Sequence, residues 1–356
     1  MTENRPVRVC LVPRMNGVGG MVSFQHKLAD GLRRRRLEIA YNLADRPYQA
    51  VLVIGGTRDL VGIWRAKRDG IPVVQRLDGM NWLHRLGGDF RTGLRHYLRA
   101  EYGNFMLRFI RSRLASRIVY QSEFVRGWWE RVYGATPAAS RVIHNGVDLQ
   151  VFTPSGSEQP PGDRLRLLMV EGSLMGGYER GLQVGVQLLE RLANDPLTAL
   201  GKPVELGVVG RVPEALQRRW EVYLSQRAAN ARISWAGLIS PQEIPPVDRA
   251  AHLLYSADVN PACPNSVIEA LACGLPVLAF DTGALPELVP PAAGRLVPYG
   301  GDPWRLDPPN IASLAQGALE IIQADEDMRH AARLQAEAAF GLDAMVEAYL
   351  DFMVGG

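Results

Sequence analysis

The sequence predicts an α/β protein built from two doubly wound domains that face each other across a cleft. Two observations carry that expectation. Short apolar runs alternate with helical patterns along the whole chain of 356 residues, the signature of parallel strands joined by crossover helices. A glycine-containing turn follows the first apolar run of each half, with the linker-like stretch Ser155 to Asp163, rich in Gly, Pro and Ser, between the halves.

The first half opens with an apolar strand over 7–13. The loop Arg14-Met15-Asn16-Gly17-Val18-Gly19-Gly20 and a helix over 21–36 follow. Further strands are expected at 50–54, 73–77, 117–120 and 141–144, before a turn through Asn145-Gly146-Val147-Asp148 and Phe152-Thr153-Pro154. The second series comprises strands at 165–170, 204–209, 233–236, 257–260 and 277–280, then helices after Asn310. The domains are placed at 1–154 and 155–340, with a closing helix, about 341–356, expected to pack back on the first. Ligands of open α/β sheets lie at the carboxyl ends of strands, where Gly17, Gly19, Gly20, Gly55, Gly56 and Asp78 fall.

Composition narrows the class. Apolar residues make up 47%, no run of eighteen apolar residues exists, and the start MTENRPVRVCLVPR lacks the apolar core of a leader, so a soluble cytoplasmic chain is expected. Cys10, Cys263 and Cys273 have no metal-ligand spacing and cannot all pair, which suits a reducing compartment. The net charge of +3 hides an asymmetry: residues 1–154 hold 25 Lys and Arg against 12 Asp and Glu, residues 155–356 hold 15 against 25. The segment from Arg91 to Arg117 interleaves seven arginines with Leu, Tyr, Phe and Ile. It reads either as a patch for anionic headgroups, at the inner face of a membrane, or as a solvated helix face.

The most informative stretch runs from Asn260 to Leu288. It places Glu269 in the opening turns of a helix, after a Pro/Cys/Asn/Ser loop and before a strand and a second glycine turn. A helix start offers unpaired N–H groups and the positive end of the dipole, which suit a phosphate or sugar hydroxyl. A carboxylate at Glu269 accepts two hydrogen bonds from a diol such as ribose. Asn265, Ser266 and the Val267 N–H are the other binding candidates, whereas Cys263 has no base placed beside it and is read as packing.

The run Glu269-Ala270-Leu271-Ala272-Cys273-Gly274-Leu275-Pro276-Val277 resembles the donor signature of retaining GT-B glycosyltransferases of family 4. So do, in the same order along the chain, Gly19-Gly20, Val119 to Phe124, Val142 to Asp148, Gly207 to Gly210, Trp235-Ala236-Gly237 and Ala344 to Leu350. The resemblance implies a GT-B fold, Glu269 on the donor ribose, and the Gly17 to Gly20 loop closing over the donor phosphates; from the residues alone that loop is equally a tight turn. It also implies a basic pair on the pyrophosphate after the second domain's first strand. This chain has Ser173 at the first place and Arg180 at the second, with Arg211 a source of the missing charge or a surface ion pair. The family's first glutamate, which touches the transferred sugar, falls on Pro261.

On the acceptor side Asp78 and His84 are the polar candidates, with His84 also readable as an ordinary loop histidine. Asp78, Arg180 and Glu269 are the catalytic set. The expected activity is retaining transfer of a sugar from a nucleoside-diphosphate sugar to a hydroxyl acceptor, glycan, lipid-linked or small, in cell-surface or lipid-linked glycan synthesis, with no metal, no cofactor and no nucleic acid. A GT-B epimerase or phosphorylase, and a non-catalytic GT-B subunit, are the alternatives.

Overall fold

The structure, a computed structural model, describes residues 7–17, 19–86, 93–175, 179–194 and 202–355. Val18 of the glycine loop and Arg91 of the basic segment lie outside the described residues. The chain forms two compact units, Met1–Gly146 with Leu342–Gly356, and Val147–Gly341.

In the first unit the strands are β1 (Arg8–Val12), β2 (Glu38–Ala40), β3 (Ala50–Ile54), β4 (Val73–Leu77), β5 (Arg117–Tyr120) and β6 (Ala139–Val142). They pair in the order β2-β1-β3-β4-β5-β6, all parallel. The helices are α1 (Gly20–Arg34), α2 (Leu60–Arg68), α3 (Leu94–Phe109) and α4 (Glu123–Tyr133). β3 is apolar and buried at every position, as a strand covered on both faces must be. Because β2 and β3 lie on opposite sides of β1, the winding reverses there, and the loops after β1 and β3 border the crevice where such sheets take ligands.

The second unit contains β7 (Leu165–Ser173), β8 (Val204–Arg211), β9 (Ala231–Gly237), β10 (Leu253–Tyr255), β11 (Val277–Phe280) and β12 (Gly294–Val297). Its helices are α5 (Glu179–Asn194), α6 (Glu214–Arg227), α7 (Ile244–Arg249), α8 (Asn265–Ala272), α9 (Leu285–Leu288) and α10 (Ile311–Ala339). The order β12-β11-β10-β7-β8-β9 is again all parallel and reverses between β7 and β10. α5 carries the strongest apolar face, burying Leu182, Val184, Val186, Leu188, Leu189 and Leu192 against the sheet. The last helix, α11 (Leu342–Val354), packs with α1: Val346, Tyr349 and Met353 join Phe24, Leu28 and Leu32 in the core of the first unit.

Two expectations need correction. The division falls after Gly146 and not after residue 154, because residues 147–154 are fastened to the second unit. The Val147 N–H donates to the Phe340 carbonyl at 2.8 Å, and Arg333 donates to the carbonyls of Phe152 at 2.7 Å and Leu149 at 3.1 Å. The strand expected at 257–260 is instead β10, whose buried Leu253, Leu254 and Tyr255 are the residues that pair with β7 and β11. Asp258 and Asn260 thereby leave the sheet and enter the loop at its carboxyl end.

Candidate active site

In the second unit the switch between β7 and β10 gathers most of the polar residues that matter. α8 begins there with Pro264 at its N-cap, and no side chain caps its first turn. Its opening residues, Asn265, Ser266 and Val267, present backbone N–H groups at a helix start. Glu269 lies four residues after Asn265 and so on the same face of α8, half-buried. Behind it, Asp248 of α7 is buried with Oδ2 unpartnered, and burial together with the Glu269 charge raises its carboxyl well above the usual range.

The loop entering α8 is held from the side. Asn260 adopts φ +56° and is buried; its N–H meets the Thr282 hydroxyl at 3.3 Å, while the Pro261 carbonyl accepts from the Ala284 N–H at 2.9 Å. Gly283, at φ +62°, permits this stitch, since a Cβ there would lie 2.5 Å from the Pro261 nitrogen. Pro261, at the place of the family's first glutamate, thus serves as a fastening point. The Asn260 side-chain nitrogen is buried without a partner.

Two carboxylates that the sequence reading did not single out sit at the ends of the switch strands. Glu171, near the end of β7, and Asp258, three residues after β10, are half-buried and electrostatically linked. Burial and then the Asp258 charge lift Glu171 well above the carboxylate range; burial pushes Asp258 up to about 6. A signal for Asp258 existed, a carboxylate shortly after an apolar triplet, but it was absorbed into a misplaced strand.

Arg180 stands in the first turn of α5, donating from Nη2 to the Asp307 carbonyl at 2.8 Å, with Nε buried and unpartnered. The same carbonyl accepts the Tyr299 hydroxyl at 2.8 Å. Arg211 ends β8, exposed, and the parallel register sets it opposite Ser173. Among the described residues Arg211 makes no ion pair.

In the first unit, Gly17 and Gly19 have φ +97° and +132°, and a Cβ on either would meet nothing within 4 Å. Both readings of the loop therefore survive: the backbone needs glycine, and the space beside it is open. Gly19 caps α1 and Gly20 opens it, with no side chain bonded to the first turn. Asp78 follows β4, half-buried, its carbonyl accepting from the Trp129 indole N–H at 2.8 Å. Burial raises its carboxyl, partly offset by Arg76. His84 is withdrawn as an acceptor-side candidate: its ring is buried, Nε2 lies 2.8 Å from Glu101 Oε1, and Tyr97 packs edge-on at 5.0 Å. Glu101 also takes Arg85, so His84 fastens its turn to α3. Cys10, Cys263 and Cys273 are buried and none is in a disulfide, and burial of Cys263 fits its reading as packing. Among the described residues no group of three or more His, Cys, Asp or Glu side chains is placed to hold a metal ion.

Two doubly wound sheets, each with its polar residues at the carboxyl ends of the strands, define a protein of GT-B fold. Solved structures agree over nearly the full chain: sucrose-phosphate synthase from Thermosynechococcus elongatus (TM-score 0.73, 14% identity, 99% of this chain and 100% of that one) and HepE of Anabaena in complex with UDP and glucose (0.70, 15%, 98% and 100%). WaaG, a glycosyltransferase involved in lipopolysaccharide biosynthesis, is similar at 0.67 with 15% identity, over 98% and 100%. Two family models match in sequence, glycosyl transferases group 1 over residues 166–324 and glycosyltransferase family 4 over residues 56–151. The chain is a family 4-like member of the group 1 glycosyltransferases. Among curated relatives, the D-inositol 3-phosphate glycosyltransferase of Corynebacterium jeikeium is 29% identical over 178 residues, 48% of this chain and 42% of that protein. The protein of the same name from Geodermatophilus obscurus is 32% identical over 232 residues, 61% and 48%. The matches thus span less than half the length of these relatives.

Proposed function

We propose that this chain is a retaining glycosyltransferase that moves a sugar from a nucleoside-diphosphate donor to a hydroxyl acceptor in lipid-linked or cell-surface glycan assembly, on the cytoplasmic side of the membrane. The observation that carries the reading is the convergence on the β7/β10 switch of an uncapped helix start and Glu269 on its first two turns. Glu269 takes the ribose hydroxyls. The α8 N–H groups, Arg180 and Arg211 balance the charge on the departing diphosphate without a metal, and that phosphate takes the acceptor proton. Asp258 and the 263–267 loop hold the transferred sugar, the task Pro261 cannot perform. Asp78 and the Gly17 to Gly20 loop belong to the acceptor and donor-phosphate sides of the first unit.

HepE is described with UDP and glucose, which makes UDP the first nucleotide to test. The curated relatives are named for an inositol phosphate, so small anionic polyols stand beside lipid-linked glycans as acceptors to try. Calorimetry with UDP, GDP and ADP is the test. One of the three binds the wild type, and Glu269→Ala weakens that binding by about 10- to 100-fold, the worth of hydrogen bonds to a charged group. Wild-type affinity and turnover in Glu269→Ala overturn the site. A wild type that binds none of the three is a non-catalytic subunit, and an epimer formed from the donor alone marks an epimerase.

A further inference from the structure

α3 has two unlike sides. One is fastened to its own unit: Asn104 is buried and exchanges hydrogen bonds with the Asn81 backbone at 2.8 and 3.0 Å, Met106 is buried, and Glu101 is taken by His84 and Arg85. The other side is apolar and faces solvent. Leu94, Leu98, Tyr102 and Phe105 recur at spacings of four, four and three, which is one stripe of a helix, and they are 72%, 57%, 53% and 57% exposed. An apolar stripe of this regularity ordinarily points at a core.

Its charge is equally one-sided. Arg95 and Arg99 flank the stripe, are exposed, and make no ion pair or hydrogen bond among the described residues. Arg108, the penultimate residue of α3, lies over the Tyr133 ring at 4.9 Å. Glu101, the helix's one acid, is consumed by His84 and Arg85, so among the described residues nothing on the outward side neutralises the arginines.

We propose that the outward face of α3 docks on an anionic lipid bilayer, its Leu, Tyr and Phe side chains entering the headgroup boundary and Arg95 and Arg99 meeting lipid phosphates. This rests on the reading of an acceptor presented at a membrane. Charge decides against a second copy of this chain as the occupant: two such faces together would oppose arginines with no carboxylate among the described residues of either outward side to meet them. No helix among the described residues is long and apolar enough to cross a membrane, so the contact is of the kind that lies on the surface.

The test is co-sedimentation of the full chain with vesicles of phosphatidylcholine, alone or mixed with phosphatidylglycerol. Partition to the anionic vesicles exceeds that to the neutral ones by about 10- to 100-fold and falls with salt. Arg95→Glu with Arg99→Glu abolishes the anionic preference, and Leu98→Ser with Phe105→Ser weakens partition to both vesicle types. All four side chains are exposed, so thermal melting is expected to be unchanged. Absent partition, or partition equal in wild type and variants, overturns the proposal. So does a concentration-dependent dimer in ultracentrifugation that Leu98→Ser with Phe105→Ser dissolves. The measurement needs no donor, and nucleotide affinity in the same variants stays at the wild-type value, so its failure and failure of the transferase reading are separate results.

Discussion

Replacing Gly283 by alanine isolates the role of the stitched loop beneath α8. Gly283 has φ +62°, and an added Cβ would stand 2.5 Å from both the nitrogen and Cδ of Pro261 and 2.6 Å from the Asn260 carbonyl carbon. These are backbone and ring atoms, with no flexible side-chain end to swing aside. The left-handed conformation costs an L residue about 1–2 kcal/mol, and displacing packed backbone adds about 1–3 kcal/mol. Gly237, in the same unit, supplies the control: its φ is +67°, but a Cβ there meets nothing within 4 Å. Gly237→Ala therefore carries the first cost alone, about 1–2 kcal/mol. At about 2–4 °C per kcal/mol for a unit of this size, Gly283→Ala melts about 2–12 °C below Gly237→Ala. Residues 260–261 lead directly into the α8 start, so Gly283→Ala also weakens UDP binding in calorimetry, and Gly237→Ala leaves it alone. Equal melting temperatures with unaltered affinity in both variants would refute the claim that this glycine holds the donor loop in place.

Asp258→Asn tests the acid pair. Its folded pKa of about 6 lies above the ordinary carboxylate value, so the folded state binds the extra proton and stability is lost as pH rises from about 4 through 6. The variant should melt higher than wild type near neutral pH, match it in mild acid, and lose turnover while keeping nucleotide affinity; a lower melting point at neutral pH sinks the assignment. Arg211→Ala should weaken diphosphate binding about 10-fold, as loss of a charge-assisted hydrogen bond implies, and an unchanged dissociation constant would return Arg211 to the surface. His84→Ala should lower stability by about 1–3 kcal/mol through its lost bond to Glu101, read by thermal melting, with UDP affinity intact.

Much of this fold was legible because parallel strands buried on both faces read as unbroken apolar runs. Ala50 to Ile54 coincides with β3 for that reason, and Val73 to Leu77 coincides with β4 although the buried Gln75 and Arg76 interrupt its apolar run. β2 was not legible: three residues, Glu38-Ile39-Ala40, at the edge of the sheet carry too short a pattern. β10 was misplaced because His252-Leu253-Leu254-Tyr255 lies close after α7, with no turn residue to mark where the strand begins. In the candidate site, the position of Glu269 in α8 was legible because helix starts have a composition. The Glu171 and Asp258 pair was not, because its members are 87 positions apart in the chain and meet only through the β7/β10 pairing. His84 failed as a candidate for a related reason: its partner Glu101 comes from another element, and sequence order does not show whether a histidine is already engaged.

The missing first glutamate is best understood through what occupies its place. Pro261 is buried, and its carbonyl and its neighbour Asn260 are bound to the loop after β11, so this stretch of chain presents backbone rather than a long acid. A carboxylate there would have to displace the Thr282 to Ala284 loop or point away from the strand ends. Three residues earlier, Asp258 leaves the same strand end on the other side of Asn260, with no hydrogen bond among the described residues; burial raises the cost of its ionisation, and its charge raises that of Glu171. A hydroxyl-rich ligand relieves that cost by donating to both carboxylates, whereas a hydrophobic or anionic one increases it. The acid pair therefore favours a neutral sugar beside the diphosphate, which makes a hexose a stronger expectation for the transferred group than a uronic acid. A donor series settles it: tighter binding of a UDP-hexuronate than of the matching UDP-hexose, persisting in Asp258→Asn, would remove Asp258 from the sugar's surroundings.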